Sequence, residues 1–244
     1  MSLAVTILGC SGTYAGAGGA CSGYLLQSAT TNVWLDCGPG TLANLQRHID
    51  LVDLHGIVCT HSHPDHWAEL PVVANALRYG VGRFDAELPL VWTAETALMF
   101  AAVSHRPPDP TFVSTVVDRD SRVTIGDIEL SFSQTDHPVE TLAVRADSGG
   151  SSIAYSADTG NDWSLASLGE GIDIALVEAT MDAESEVQHL TAAQAGSQAR
   201  EAGVAALVLT HLAPGSDPEA RRREAATAFD GPIAVAEIDE RYET

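Results

Sequence analysis

Residues 57–66 read Ile-Val-Cys-Thr-His-Ser-His-Pro-Asp-His. The first four residues are apolar or β-branched, as is typical of a buried strand. The six that follow place three imidazoles and one carboxylate in a turn, namely His61, His63, Asp65 and His66. Desolvating so many polar groups beside an apolar strand would be costly without a cation. Imidazole and carboxylate suit Zn²⁺, and also Mn²⁺ or Fe²⁺, so the segment predicts a metal site at a strand end.

The spacing within this turn accommodates two ions. Alternate residues of a turn can face one point, so His61 and His63 could share one ion while Asp65 and His66 turn toward a second. Other strand-like runs also end on metal-capable side chains, which are His137, Asp158, Glu178 and His211. In open α/β sheets functional groups gather beyond the carboxyl ends of strands, so strands lying side by side would bring these groups to one rim.

Alternating apolar runs and turn signals predict an α/β fold without a composition break, and we expect one domain over residues 1–244. The predicted strands are Ala4–Leu8, Tyr24–Gln27, Val33–Asp36, Ile57–Thr60, Leu88–Trp92, Ile128–Ser133, Leu142–Arg145, Ser152–Ser156, Ile174–Glu178, Ala206–Thr210 and Ile233–Ala236. The predicted helices are Gly40–His48, His66–Tyr79, Ala94–Val103, Thr191–Ala202 and Pro218–Ala228.

Composition narrows the classes of partner. The net charge of −21 repels polyanions, so long nucleic acids are unfavourable partners. No apolar run reaches the roughly 18 residues that a membrane span needs, and the start shows no secretory signal. The four cysteines fit no zinc-finger spacing, and we expect free, mostly buried thiols in a cytoplasmic protein.

The motif His61-Ser62-His63-Pro64-Asp65-His66 resembles the HxHxDH signature of the metallo-β-lactamase superfamily. His137, Asp158 and His211 follow in the order of that family's later ligand motifs. Two further segments resemble the ribonuclease Z-like branch: residues 35–41, Leu-Asp-Cys-Gly-Pro-Gly-Thr, and Glu178-Ala179-Thr180 with His189-Leu190-Thr191 downstream. The resemblance implies a four-layer αβ/βα sandwich, with two mixed sheets and helices on the outer faces.

The resemblance also implies a role for each motif residue. The first ion would be held by His61, His63 and His137, the second by Asp65, His66 and His211, and Asp158 would bridge them. Asp36 would orient the histidine cluster without touching an ion. Asp65, Glu178 and His189 form the expected catalytic set.

Two ions about 3.5–4 Å apart would hold a hydroxide between them and neutralise the non-bridging oxygens of a phosphodiester. We hypothesise that His189 donates a proton to the leaving alkoxide, with Glu178 orienting the ring and keeping it cationic. The expected enzyme is therefore a metal-dependent phosphodiesterase with two divalent ions, of which zinc fits best.

The substrate is expected to be small, such as a cyclic nucleotide. Ribonuclease Z enzymes commonly carry a tRNA-gripping arm between the third-motif histidine and the bridging aspartate, whereas His137 and Asp158 are 21 positions apart here. Cys21 also lacks the clustered cysteines of phosphoribosyl cyclic phosphodiesterases. A tRNA 3′-processing nuclease, a thioesterase or lactonase of the glyoxalase II kind, and a non-enzymatic module remain the alternatives. Ribonuclease Z-like proteins are commonly dimers, so the resemblance implies a homodimer.

Overall fold

A computed structural model describes residues 2–80, 87–183 and 187–244. Within these ranges the strands form two mixed sheets of seven strands each. The first sheet has the spatial order β14-β1-β2-β3-β4-β5-β6, and its strands are β1 (Ala4–Gly9), β2 (Gly23–Gln27), β3 (Asn32–Leu35), β4 (Gly56–Cys59), β5 (Leu88–Trp92), β6 (Phe112–Val116) and β14 (Arg241–Glu243). Strands β1 to β3 and β14 pair antiparallel, and β3 to β6 pair parallel.

The second sheet has the order β13-β12-β11-β10-β9-β8-β7. Its strands are β7 (Arg122–Ile125), β8 (Ile128–Gln134), β9 (Leu142–Ser148), β10 (Ser151–Tyr155), β11 (Ile174–Glu178), β12 (Ala206–Thr210) and β13 (Ile233–Val235). Strands β7 to β10 pair antiparallel, whereas β10 to β13 pair parallel. The parallel part carries the strand ends at which sequence analysis expects metal ligands.

Helices cover the outer faces of both sheets, and they are α1 (Thr41–Leu45), α2 (Pro64–Trp67), α3 (Leu70–Tyr79), α4 (Ala94–Val103), α5 (Ala192–Glu201) and α6 (Pro218–Ala225). Short 3₁₀ turns lie at Leu51–Asp53 and Leu165–Leu168. Buried side chains of α1, α3 and α4 pack on the first sheet, and those of α5 and α6 pack on the second. A third apolar layer fills the space between the sheets. The predicted four-layer αβ/βα sandwich is confirmed.

Every predicted strand is present with small shifts at its ends, and three strands were missed: β6, β7 and β14. All three lie at sheet edges. An edge strand need not be apolar on both faces, and four of the five residues of β6 are exposed. The strong apolar signal on which sequence analysis depends is therefore weakest there.

The predicted helix His66–Tyr79 is wrong as a single element, because α2 and α3 are separated by Ala68 and Glu69. The chain segment around Cys37 explains the break. The Cys37 N–H donates to the carbonyl of His66 at 2.6 Å, and the Glu69 N–H donates to the carbonyl of Cys37 at 3.0 Å. These bonds satisfy backbone groups that a continuous helix would pair internally. In the described residues no helix is both long and apolar enough to cross a membrane.

Candidate metal centre

The carboxyl ends of strands from both sheets meet at one rim. His61 follows β4 of the first sheet, whereas Asp158, Glu178 and His211 lie at the ends of β10, β11 and β12 of the second. The expected convergence is therefore present, but it occurs between two facing sheets and not along one sheet.

The first group of candidate ligands contains His61, His63, His137 and Asp158, whose ligand atoms all lie within 4.8 Å of one another. His137 Nε2 lies 3.0 Å from His63 Nδ1. Asp158 Oδ2 lies 3.6 Å from His61 Nε2 and 3.8 Å from His137 Nε2.

Asp65, His66 and His211 form the second group. His211 Nε2 lies 3.2 Å from His66 Nε2 and 3.3 Å from Asp65 Oδ2. The other oxygen of Asp158, Oδ1, lies 3.2 Å from His66 Nε2 and 3.3 Å from His211 Nε2. One carboxylate thus faces the first group with one oxygen and the second with the other, as a bridging ligand would.

These spacings fit metal ions. Ligand atoms about 2.0–2.2 Å from a tetrahedral zinc lie about 3.3–3.6 Å from one another, and the contacts above, at 3.0–3.8 Å, bracket that range. His61 is fully buried, and its Nε2 has no hydrogen-bond partner within the described part of the chain. A buried ring nitrogen without a partner is costly, and a cation at this point would remove that cost.

The charge state of the cluster suits a cation. Burial and the charge of His66 hold the pKa of His61 well below its usual range, and burial lowers the pKa of His137. Burial opposes ionisation of Asp158, yet His211 and His66 outweigh it and hold its pKa well below the usual range. For Asp65, hydrogen bonding to His211 likewise outweighs burial and lowers the pKa. Neutral His61 and His137 and ionised Asp65 and Asp158 are the forms that bind metal ions, whereas Asp158 and Asp36 outweigh burial and raise the pKa of His66, which would lose a proton on binding an ion.

Asp36 lies where sequence analysis places it. It is fully buried, its Oδ2 lies 2.8 Å from His66 Nδ1, and its Oδ1 accepts the N–H of Thr60 at 2.8 Å. Asp36 thus contacts Nδ1 of His66, whereas Nε2 of the same ring faces the other candidate ligands of the second group. A carboxylate at this position orients the ring and fixes which nitrogen carries its proton.

Glu178 and His189 form a pair beside the second group. Glu178 is fully buried and its Oε1 lies 2.8 Å from His189 Nδ1. Burial lowers the pKa of His189, but the hydrogen bond and charge of Glu178 outweigh burial and raise it above the ordinary value. The His189 ring stacks against His211 with centroids 5.6 Å apart. His189 also lies close enough to Asp158 and His211 to be a metal ligand itself.

A cleft of about 330 Å³ opens over the two groups, and it is lined by Thr13, His63, Pro64, Asp65, Asp158, His189 and His211. The Thr13 N–H donates to Asp65 Oδ2 at 2.8 Å. Gly12 lies against His211, since a Cβ on Gly12 would be 2.7 Å from the His211 carbonyl oxygen. The loop after β1 therefore forms one wall of the cleft.

Four groups that contact these side chains were not predicted from the sequence: the Thr13 N–H, the hydroxyls of Thr60 and Thr180, and the carbonyl of Gln188, which lies 3.2 Å from His137 Nδ1. No motif marks a backbone group, and a lone threonine carries no signal of its own. The only sequence signal for these two threonines is their position beside predicted site residues: Thr60 precedes His61, and Thr180 follows Glu178 by two positions. All four cysteines are free thiols, and three of them are buried.

A family model described as a beta-lactamase superfamily domain matches residues 31–212. The chain belongs to the metallo-β-lactamase superfamily. An uncharacterized protein of Mycobacterium tuberculosis is 35% identical, over 100% of this chain and 93% of its own length. The probable metallo-hydrolase YhfI of Bacillus subtilis is 29% identical over 95% of this chain and 96% of its own length.

The crystal structure of YhfI superposes with a TM-score of 0.92 at 28% identity, and covers 100% of both chains. Ribonuclease Z of Streptomyces avermitilis is 27% identical over 88% of this chain and 89% of its own length. The superfamily and its ribonuclease Z-like branch, both predicted from motifs, are confirmed. Family and ligand geometry together support a metallo-hydrolase.

Proposed function

We propose that this superfamily member is a dinuclear, zinc-dependent phosphodiesterase that acts on a small phosphodiester such as a cyclic nucleotide. The observation that carries the proposal is the position of the His189–Glu178 pair beside the two groups of candidate ligands, which Asp158 joins. These two groups are called the two-ion cradle below. A cradle alone would suit many hydrolytic reactions. The additional pair suits a reaction in which an alkoxide leaves and needs a proton.

The residues divide into three roles. His61, His63 and His137 would hold the first ion, Asp65, His66 and His211 would hold the second, and Asp158 would bridge both. When bound, such a pair of ions activates water and neutralises charge on a phosphoryl group. Glu178 holds Nδ1 of His189, so Nε2 is free to donate to the leaving oxygen.

The size and charge of the cleft support a small substrate. A space of about 330 Å³ lies at the low end of small-molecule sites. Its lining in the described residues contains neither lysine nor arginine. Together with the net charge of −21, this disfavours binding of a tRNA body, whose phosphates are contacted through lysine and arginine. A tRNA 3′-processing endonuclease is the second candidate, favoured by the similarity to ribonuclease Z.

A side-by-side substrate panel tests the proposal. Zinc-loaded protein is assayed on cyclic AMP, cyclic GMP, bis-p-nitrophenyl phosphate, precursor tRNA and a thioester, with Asp158→Asn as the inactive control. We expect turnover of the aromatic diester and of at least one cyclic nucleotide. Cleavage of precursor tRNA alone would replace the proposal with the second candidate, and a preference for the thioester would indicate a glyoxalase II-like enzyme.

We further propose a homodimer that forms through α3 and α4. Large apolar side chains are exposed on these helices, including Val72 at 55%, Leu98 at 71% and Val103 at 57%. The two helices carry only Arg78 and Glu95 as charged residues, so this face would bring less repulsion to a contact between two acidic copies. Light scattering should show a dimer that Leu98→Glu dissociates, whereas a monomeric wild-type protein would contradict the assignment.

A further inference from the structure

Two threonine hydroxyls make equivalent contacts at the candidate metal centre. Thr60 Oγ1 lies 3.0 Å from Asp36 Oδ2 and 3.1 Å from His61 Nδ1. Thr180 Oγ1 lies 2.7 Å from Glu178 Oε2 and 2.9 Å from His211 Nδ1. In each case a hydroxyl lies between a fully buried carboxylate and a histidine that faces the cradle.

The number of protons fixes the direction of these bonds. A threonine hydroxyl has one proton to donate, and an ionised carboxylate can only accept. The Thr180 hydroxyl could also donate to the His211 carbonyl at 2.9 Å, but its bond to Glu178 is shorter and charge-assisted. The hydroxyl therefore donates to Glu178 and accepts from His211, which requires the proton of His211 to be on Nδ1.

This direction matters because the opposite tautomer has partners available. A proton on Nε2 of His211 would face Asp65 Oδ2 and Asp158 Oδ1, each at 3.3 Å. That tautomer would block the lone pair that an ion needs. A hydrogen bond at Nδ1 is what favours the metal-binding form.

We propose that Thr180 is a positioning residue that connects His211 to Glu178. The same carboxylate then orients His189 directly and holds the metal-facing tautomer of His211 through the threonine. The metal-binding part of this inference rests on the proposed two-ion site but not on the identity of the substrate. Glu178 therefore acts on both His189, which it contacts directly, and the candidate ligand His211, which it reaches through Thr180.

The test compares two variants of Thr180, chosen to distinguish the effect of losing the hydroxyl group from the effect of changing the shape of the side chain. Thr180→Val keeps the branched shape and removes the hydroxyl, whereas Thr180→Ser keeps the hydroxyl and removes the methyl. Zinc affinity is measured by chelator competition and stoichiometry by native mass spectrometry. Loss of such an outer hydrogen bond commonly costs about 10–100-fold in metal affinity. We expect that loss for one of the two zinc ions in Thr180→Val and near wild-type affinity in Thr180→Ser.

A second readout is the Nδ1–H proton of His211 in ¹⁵N-histidine-labelled, zinc-loaded protein. It should be protected from exchange in wild type and in Thr180→Ser, and should exchange rapidly in Thr180→Val, while the Nδ1–H of His61 is unchanged. If Thr180→Val does not fold, Thr180→Ala replaces it. Two tightly bound zinc ions together with a protected proton in the valine variant would overturn the proposal, as would equal losses in valine and serine variants. Neither readout uses turnover, so a wrong substrate assignment would leave the result interpretable.

Discussion

Replacing Glu178 with glutamine should destabilise the fold even without metal. The carboxylate is fully buried and accepts from five donors. Oε1 accepts from the Thr159 N–H and from His189 Nδ1, both at 2.8 Å. Oε2 accepts from the Thr180 hydroxyl at 2.7 Å, the Leu190 N–H at 3.2 Å and the Thr180 N–H at 3.4 Å. A glutamine can present an oxygen on one side only.

The glutamine amide can adopt two orientations, and the one with the lower energetic cost determines the expected loss of unfolding free energy. With its NH₂ in the place of Oε2, glutamine would face two backbone N–H groups that cannot reverse. With its NH₂ in the place of Oε1, it would face the Thr159 N–H and His189, and His189 can change tautomer and accept. One backbone N–H and one amide proton then remain unpaired, and each costs about 1–3 kcal/mol when buried. Glu178→Gln should therefore lose about 2–6 kcal/mol of unfolding free energy.

Urea unfolding of chelator-treated protein, followed by circular dichroism, measures this loss directly. Glu219→Gln is the matched control, because it is the same change on the exposed side of α6, beside Arg222, and we expect no resolvable effect. His189→Ala removes one donor and leaves the other four, so it should cost less than Glu178→Gln. A free energy of unfolding for Glu178→Gln within about 1 kcal/mol of wild type would show that the five contacts are not the constraint described.

Three further outcomes are expected. His189→Ala should reduce the rate on alkyl phosphodiesters by about 10²–10⁴-fold and the rate on p-nitrophenyl diesters far less, since only the alkoxide needs a proton; equal losses in steady-state assays would exclude the acid role. Chelation should abolish activity and lower the melting temperature, because a site with an ion at 100 times its Kd contributes about 2.7 kcal/mol, and scanning calorimetry with and without zinc checks this. Gly12→Ala should displace His211 and lower the zinc content measured by mass spectrometry, because the added Cβ would overlap the His211 backbone; unchanged stoichiometry would contradict the close approach.

The fold could be predicted from the sequence to the extent that apolar pattern defines it. Central strands such as β4 and β11 are buried on both faces and give continuous apolar runs, so their positions were found within a residue or two. Edge strands such as β6 are largely exposed and gave none. The break between α2 and α3 was also beyond reach, because it is stabilised by Cys37, about thirty positions upstream.

The site shows the same division. The metal-capable side chains could be found because three imidazoles and a carboxylate in one six-residue turn beside an apolar strand would be costly to desolvate without a cation. Their assignment to two groups was implied by the resemblance to the metallo-β-lactamase superfamily, and the structure brings the same residues together. The hydroxyl of Thr180 could not be found this way, because its meaning depends on where Glu178 and His211 lie relative to each other.

Three residues that follow strands at the rim share a backbone conformation that their residue types do not reveal. Asp36 after β3, Ala157 after β10 and His211 after β12 all have left-handed φ values, of 59°, 52° and 54°. Each costs about 1–2 kcal/mol for a residue other than glycine. Glycine would avoid the cost but could supply neither the carboxylate that holds His66 nor the imidazole of the second group.

The strain has a geometric use, because a left-handed residue turns the chain sharply at the point where the strand leaves its sheet. Flanking hydrogen bonds hold these turns: the Asp36 N–H donates to the Val58 carbonyl at 2.8 Å, and the Leu212 N–H donates to the Cys10 carbonyl at 3.1 Å. Strained backbone of this kind persists only where surrounding contacts over-determine it. Aspartate, alanine and histidine do not mark a left-handed position as glycine does. The sequence therefore indicates the candidate ligands but not the turns that orient them toward one another. The centre is therefore a property of both sheets packed together, and the histidine-rich motif is only the part of it that is contiguous in sequence.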